Sequence, residues 1–122
     1  MRQRILVIDD SADNRELLKL LLDSNGFSTD CAPNGAEALL LMKDNLDLPK
    51  LILLDANMPV MDGYRFRIEQ NKDDRLKNIP VVVMSGEHDL SMNERMNFPH
   101  SFLPKPFNMQ AIIGHVSAFF SS

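Results

Sequence analysis

The chain has few of the features that would tie it to a membrane, an oxidising compartment or nucleic acid. Its 122 residues include one cysteine, Cys31, which excludes an internal disulfide and a cysteine-based metal cluster. Its longest apolar runs fall far short of the ~20 residues that a membrane helix needs, and the run 5–8 behind Arg2 and Arg4 is too short for a signal peptide. The net charge is −4 and the basic residues are scattered, so the chain lacks a stripe that could neutralise phosphates. We therefore expect a cytoplasmic protein with no membrane insertion and no direct nucleic-acid binding.

Short aliphatic runs recur along the chain. Residues 5–8, 51–54 and 80–84 are continuous apolar segments, which are typical of strands buried on both faces of a parallel sheet. Residues 27–32 have mixed polarity and fit a strand at the edge of that sheet, and residues 101–103 indicate a last short strand. The sequence thus predicts five strands.

Helical signals separate these strands. The first helix begins at Ser11 or Asp13 and ends at Asn25-Gly26, and a second covers residues 36–42. A third is placed in the charged stretch 64–77, and the last, 108–120, shows clear helical spacing of its apolar residues. Because helical crossovers force parallel pairing, the pattern predicts an α/β fold, a doubly wound (βα)5 sheet. We expect a single domain over residues 1–122, with no output domain.

Polar residues follow the predicted strands where each one ends. Asp9 and Asp10 come after the first, Asp55 ends the third, Ser85 ends the fourth and Lys105 follows the fifth. In open α/β sheets, ligands bind at the crevice outside the carboxyl ends of the strands. We therefore expect these five residues, distant in sequence, to meet at one site.

The chemistry of these side chains points to a metal and a phosphoryl group. Three crowded carboxylates repel one another unless a cation neutralises them, and oxygen ligands without His or Cys favour Mg²⁺. Lys105 and the Ser85 hydroxyl suit phosphoryl oxygens. With charge neutralised in this way, Asp55 can attack phosphorus and form an acyl phosphate.

Several motifs resemble those of one known family. They are Asp9-Asp10, the block 53–63 (Leu-Leu-Asp-Ala-Asn-Met-Pro-Val-Met-Asp-Gly), Ser85 and Lys105-Pro106-Phe107. In this combination the chain resembles a receiver domain of a two-component response regulator, of the chemotaxis type, over essentially its whole length. The resemblance implies a flavodoxin-like sheet with strand order 2-1-3-4-5.

The resemblance also implies a metal site. Asp10 would bind Mg²⁺ directly and Asp9 through water, with Asp55 and the backbone carbonyl of Asn57 as further ligands.

The remaining roles that the resemblance implies concern phosphoryl transfer and its output. Asp55 would accept the phosphoryl group from a phosphohistidine of a histidine kinase or phosphotransfer protein, while Ser85 and Lys105 contact that group. Ser85 and Phe102 would then form a switch that changes the surface offered to a downstream protein partner. Catalysis would be limited to the domain's own phosphoryl transfer and hydrolysis.

Two other functions compete with this interpretation. A small phosphatase with an aspartyl nucleophile would need a second acid two residues after Asp55, where the chain has Asn57. A docking module that no longer uses phosphorylation would not need Asp10, Asp55, Ser85 and Lys105 together, and all four are present.

The segment 87–99 departs from the family pattern, because the spacing from Ser85 to Lys105 is about two residues shorter than the family usually has. Asn93, Asn97 and Pro99 weaken a helix, and two methionines leave only a narrow apolar stripe. We predict a helix of at most about two turns, or an irregular loop, since little burial is available to hold it. Hydrogen exchange with and without a phosphoryl mimic measures this. Slow exchange throughout 87–99 in the free protein would contradict the prediction.

Overall fold

A computed structural model describes residues 3–43, 45–56, 63–85, 96, 99, 101–104 and 108–120, without the side chains of Ser85, Pro104 and Met109. The strands are β1 (Arg4–Ile8), β2 (Ser28–Ala32), β3 (Leu51–Asp55), β4 (Val81–Ser85) and β5 (Ser101–Pro104). The helices among these residues are α1 (Ala12–Ser24), α2 (Gly35–Lys43), α3 (Gly63–Lys72) and α4 (Met109–Phe120). None of these helices has the length and apolar character to span a membrane.

The five strands form one parallel sheet in the order β2-β1-β3-β4-β5. The predicted α/β fold, its parallel pairing and its strand order are confirmed. In the register of the sheet, Ile8 lies opposite Leu54, and Asp55 lies opposite Met84. The carboxyl ends of β1, β3 and β4 therefore meet at one edge of the sheet.

Helices cover both faces of the sheet. In β1, Leu6 and Ile8 belong to the core cluster that includes residues of α2 and α3, whereas Ile5 and Val7 belong to the cluster with residues of α1 and α4. β3 is buried along its entire length. Fully burying an aliphatic side chain contributes about 1.5–3 kcal/mol, so these strands anchor the fold and fix the positions of the residues that follow them.

The first helix has the ends that the sequence predicts. The Ser11 hydroxyl accepts a hydrogen bond from the backbone N–H of Asn14 at 3.2 Å, which identifies Ser11 as the cap. After Asn25 the chain reverses through Gly26, whose φ of +94° lies in the left-handed region that favours glycine.

The third helix is shorter than the stretch 64–77 in which it was predicted, since α3 ends at Lys72. Asp73 explains the difference: its carboxylate accepts from the backbone N–H of Arg75 at 2.8 Å, and its carbonyl accepts from those of Leu76 and Lys77. These bonds make a turn instead of further helix. The predicted short helix in 87–99 lies outside the described residues, apart from Met96 and Pro99.

The two edges of the sheet are β2 and β5. Asp30 of β2 is bound by Arg4 of the neighbouring strand at 2.6 Å. This contact raises the pKa of Arg4, chiefly through its hydrogen bond with Asp30. β5 has four residues and ends at Pro104, which carries no backbone N–H.

Hydrogen bonds from the Arg75 side chain connect the turn after α3 with the end of α2. Its guanidinium donates to the carbonyls of Met42 (3.3 Å) and Lys43 (2.7 Å) in the last turn of α2, and to that of Asn45. Carbonyls at a helix C-terminus have no partner within the helix, and a cation there also complements the helix dipole. Arg75 therefore stabilises the connection that leads from α2 into β3.

Replacing Arg75 by Ala should lower the free energy of unfolding by about 1–2 kcal/mol, because the carbonyls lose a charged donor. For a domain of this size that corresponds to a fall of about 4 °C in melting temperature per kcal/mol. Lys77→Ala is the matched control: among the described residues, the Lys77 side chain forms only an ion pair with the largely exposed Asp74 at 3.1 Å, and such pairs contribute little. Equal losses for the two variants in thermal denaturation would contradict the role given to Arg75.

Candidate acidic site

The ends of β1 and β3 bring three carboxylates together. Asp9 and Asp10 directly follow β1 and Asp55 is the last residue of β3, so the pairing of the two strands places them side by side. One carboxylate oxygen from each lies within 4.8 Å of the other two. Asp9 and Asp55 are buried, with 0% and 2% of their surfaces exposed, whereas Asp10 is exposed. Asp10 therefore forms the open side of the cluster.

The position of Asp9 is fixed by several hydrogen bonds. Its backbone N–H donates to the carbonyl of Ala32 at 3.1 Å, and its carboxylate Oδ1 accepts from the N–H of Ser11 at 2.9 Å. Arg15 of α1 donates from Nη1 to the Asp9 carbonyl at 2.8 Å. Both the backbone and one carboxylate oxygen are thus held in place by the fold.

The second carboxylate oxygen of Asp9 differs from the first. Oδ2 is buried and has no hydrogen-bond partner among the residues that the structure describes. Leaving a buried polar atom unpaired is costly, and more so for a charged group. A cation bound between the three carboxylates would give this oxygen a partner, and all-oxygen donors suit Mg²⁺. The residues present therefore fit that metal.

The other predicted site residues lie as follows. Ser85 ends β4 with its backbone opposite Pro104, and Lys105 is the next residue after Pro104 in the sequence. Phe102 lies in β5 opposite Val83, half-buried against the core cluster on the α2 and α3 face. Asn57, Lys105 and the side chain of Ser85 lie outside the described residues.

Gly63 belongs to this site, although in the sequence it stood out only as the last residue of the block 53–63. Its N–H donates to the Ala56 carbonyl at 3.3 Å, and a Cβ on it would come within 2.9 Å of the Asp55 carbonyl and 2.7 Å of the Met96 methyl carbon. Only a residue without a side chain permits α3 to begin this close to β3. The Asp-Gly pair at 62–63 was the signal that could have indicated it.

Residues 5–117 match the family model for the response regulator receiver domain. The chain belongs to this family. The match covers the five strands except Arg4, the first residue of β1, and all but the last three residues of α4, the final helix described.

Relatives of this receiver domain include parts of larger proteins. The transcriptional regulatory protein CpxR homolog of Haemophilus influenzae is 34% identical over 117 residues, covering 94% of this chain and 49% of that protein. The sensor histidine kinase CheAY of Helicobacter pylori is 32% identical over 108 residues, covering 85% of this chain and 13% of that protein. The chain thus spans half or less of both relatives.

Solved structures show the same fold. The chemotaxis protein CheY4 of Vibrio cholerae superposes with a TM-score of 0.88 at 24% identity, covering 97% of this chain and 98% of that one. The receiver domain of a signal transduction histidine kinase from Syntrophus aciditrophicus has a TM-score of 0.84 at 30% identity, covering 98% and 90%.

Membership in this family establishes the general function of the chain. The chain is a receiver domain of two-component signalling. Such domains bind Mg²⁺ at an acidic pocket, and they interact with histidine kinases and downstream effectors. The cluster of Asp9, Asp10 and Asp55 is the acidic group that the structure shows in this chain.

Replacing Asp9 by Asn should stabilise the metal-free protein by about 1 kcal/mol. The amide oxygen can still accept from Ser11, and the amide N–H₂ can donate to a neighbouring carboxylate, so the unpaired charge is removed. The same change should reduce the rise in melting temperature that MgCl₂ produces, because one donor is lost.

Asp13→Asn is the control for this measurement. Asp13 is an exposed carboxylate in the first turn of α1 and lies outside the cluster, so its loss should leave the effect of MgCl₂ unchanged. If Asp9→Asn and Asp13→Asn retain equal stabilisation by MgCl₂ in thermal denaturation, Asp9 has no part in binding the metal.

Proposed function

We propose that Asp55 is the phosphoryl acceptor of this receiver domain and that Asp9, Asp10, Asp55 and the Asn57 carbonyl hold Mg²⁺. The observations that support this most directly are the convergence of the three carboxylates and the buried Oδ2 of Asp9, which has no hydrogen-bond partner among the described residues. Asp55 suits the acceptor role because it ends the central strand, which is fully buried and therefore rigid.

The reaction begins with a phosphohistidine of a histidine kinase or phosphotransfer protein. A carboxylate oxygen of Asp55 forms a bond to phosphorus as the donor's P–N bond breaks, and the imidazole leaves with the electron pair of that bond. Bound Mg²⁺ offsets the negative charge on the carboxylates and on the phosphoryl oxygens. Lys105 and the Ser85 hydroxyl contribute further positive charge and a donor to those oxygens.

Asp9 and Asp10 differ in how firmly the fold holds them at the site. Asp9 is held by Ser11, Ala32 and Arg15, so the reacting groups need little rearrangement before phosphoryl transfer. Asp10, on the exposed side, is the carboxylate of the cluster that solvent can reach most easily. Hydrolysis of the acyl phosphate resets the domain, and we propose no other enzymatic activity for it.

The output is a change in binding. We propose that the phosphoryl group draws Ser85 inward and that Phe102 follows, which shifts the population of the surface that a downstream protein recognises. The half-buried position of Phe102 on the second strand from Asp55 is compatible with movement between an inner and an outer position. We propose that the phosphoryl transfer and the resulting change in binding take place in the cytoplasm.

The test is labelling with a small phosphodonor. Incubation with acetyl phosphate and Mg²⁺ should add one phosphoryl group, seen in the intact mass, and Asp55→Ala or Asp55→Asn should abolish it. Excess EDTA should suppress labelling, because the carboxylates repel the donor without the metal. Asp13→Ala, an exposed carboxylate outside the cluster, should label like the parent protein. An adduct of unchanged yield in both Asp55 variants would refute the assignment.

A further inference from the structure

Two polar side chains lie inside the core at the buried face of α3. Arg67 is 6% exposed and Gln70 is 0% exposed, and both share this face with Gly63 and Phe66. Neither residue belongs to the acidic site, and the chemistry proposed for that site uses neither of them.

Hydrogen bonds join this pair to two other parts of the chain. Arg67 Nε donates to the carbonyl of Met96 at 2.8 Å, and its Nη1 donates to the side-chain oxygen of Gln70. Gln70 Nε2 in turn donates to the carbonyls of Leu76 (2.9 Å) and Ile79 (3.0 Å), which precede β4. The network therefore connects α3 with the chain before β4 and with the chain between β4 and β5.

Stability alone does not account for an arginine at this position. Desolvation of a buried guanidinium is costly, and here burial lowers the pKa of Arg67. Replacing buried ionic groups by apolar side chains of similar volume is often neutral or stabilising. Compared with an apolar side chain, arginine adds directed hydrogen bonds, which specify where the main chain at Met96 lies.

The position of Met96 matters because of what lies beside it. Met96 is 2% exposed and belongs to the same core cluster as Phe66. A Cβ placed on Gly63 would lie 2.7 Å from the Met96 methyl carbon and 2.9 Å from the Asp55 carbonyl oxygen. Both atoms therefore border the same small space beside Gly63. Met96 therefore packs next to the main chain of the proposed phosphoryl acceptor.

We propose that Arg67 is a positioning residue that holds Met96 against the start of α3, and that Met96 thereby couples the state of Asp55 to the chain between β4 and β5. The second half of this inference rests on the proposed function of Asp55. The first half does not, and the two are tested separately.

Oxidation of methionines by dilute hydrogen peroxide, followed by peptide mass spectrometry, tests the first half. In the parent protein Met96 should oxidise slowly because it is buried, and Arg67→Leu should accelerate its oxidation several-fold. Met42, equally buried in the same cluster but carried by α2, should remain protected, which separates local release from general loosening.

Three further variants complete this test. Arg65→Leu changes an exposed arginine of the same helix and should leave Met96 protected. Arg67→Lys retains one donor and should restore part of the protection. Gln70→Leu keeps Arg67 but removes the side-chain oxygen that accepts a hydrogen bond from its Nη1, and this variant replaces Arg67→Leu if that protein does not fold. Oxidation of Met96 at the parent rate in folded Arg67→Leu or Gln70→Leu would overturn the positioning role.

Methyl NMR during labelling tests the second half. With acetyl phosphate and Mg²⁺, the Met96 methyl resonance should shift in the parent protein as the mass adduct forms. In Arg67→Leu the adduct should form to a similar extent while the shift becomes smaller. An adduct without any shift of Met96 in the parent protein would overturn the coupling. If no adduct forms, the proposed function and the coupling fail together, and the oxidation result still decides the role of Arg67.

Discussion

The parallel pairing of β1 with β3 is the constraint on which the site depends. Ile8 lies opposite Leu54. The residues that come next, Asp9 after β1 and Asp55 at the end of β3, therefore emerge side by side at the same edge of the sheet. A shift of one residue in this register would draw one carboxylate along its strand toward the apolar core, where a charge is costly to bury. That cost helps to fix the register, and the register in turn fixes the spacing of the carboxylates.

The charged side chains of this domain differ in how far they are buried. Asp9 and Asp55 are held at the ends of rigid strands, whereas Asp10 is exposed, so the cluster combines a fixed wall with an open side. In the core, the side chains of Arg67 and Gln70 donate hydrogen bonds to main-chain carbonyls. Both arrangements bury polar atoms at a cost in free energy, which the apolar packing of the strands offsets. A domain of this size can support such groups because its central strands are almost entirely inaccessible to solvent.

The sequence allowed the sheet to be predicted more completely than α3. Continuous aliphatic runs identify β1, β3 and β4 because strands buried on both faces need no alternation, and polar residues at their ends indicated the shared edge. In α3 the buried face is Gly63, Phe66, Arg67 and Gln70, which has helical spacing but only one large apolar side chain, so hydrophobic periodicity could not reveal it. The contact of Met96 with the start of α3 is equally invisible in sequence, since it depends on a missing Cβ. The roles of Asn57, Ser85 and Lys105 stay predictions from the family motif, because their side chains lie outside the described residues.

The composition of the two outer strands affects how the protein behaves in concentrated solution. An open sheet leaves rows of unpaired backbone groups on its outer strands, and another chain can add to them and start aggregation. In β2 the polar residues Ser28, Thr29 and Asp30 interrupt the apolar pattern, and Asp30 forms an ion pair with Arg4. β5 is only four residues long and ends in a proline that cannot donate to a ladder. The continuous apolar strands β3 and β4 thus lie in the interior of the sheet, where both of their edges are already paired. The edge strands β2 and β5 have sequences that disfavour pairing with another chain.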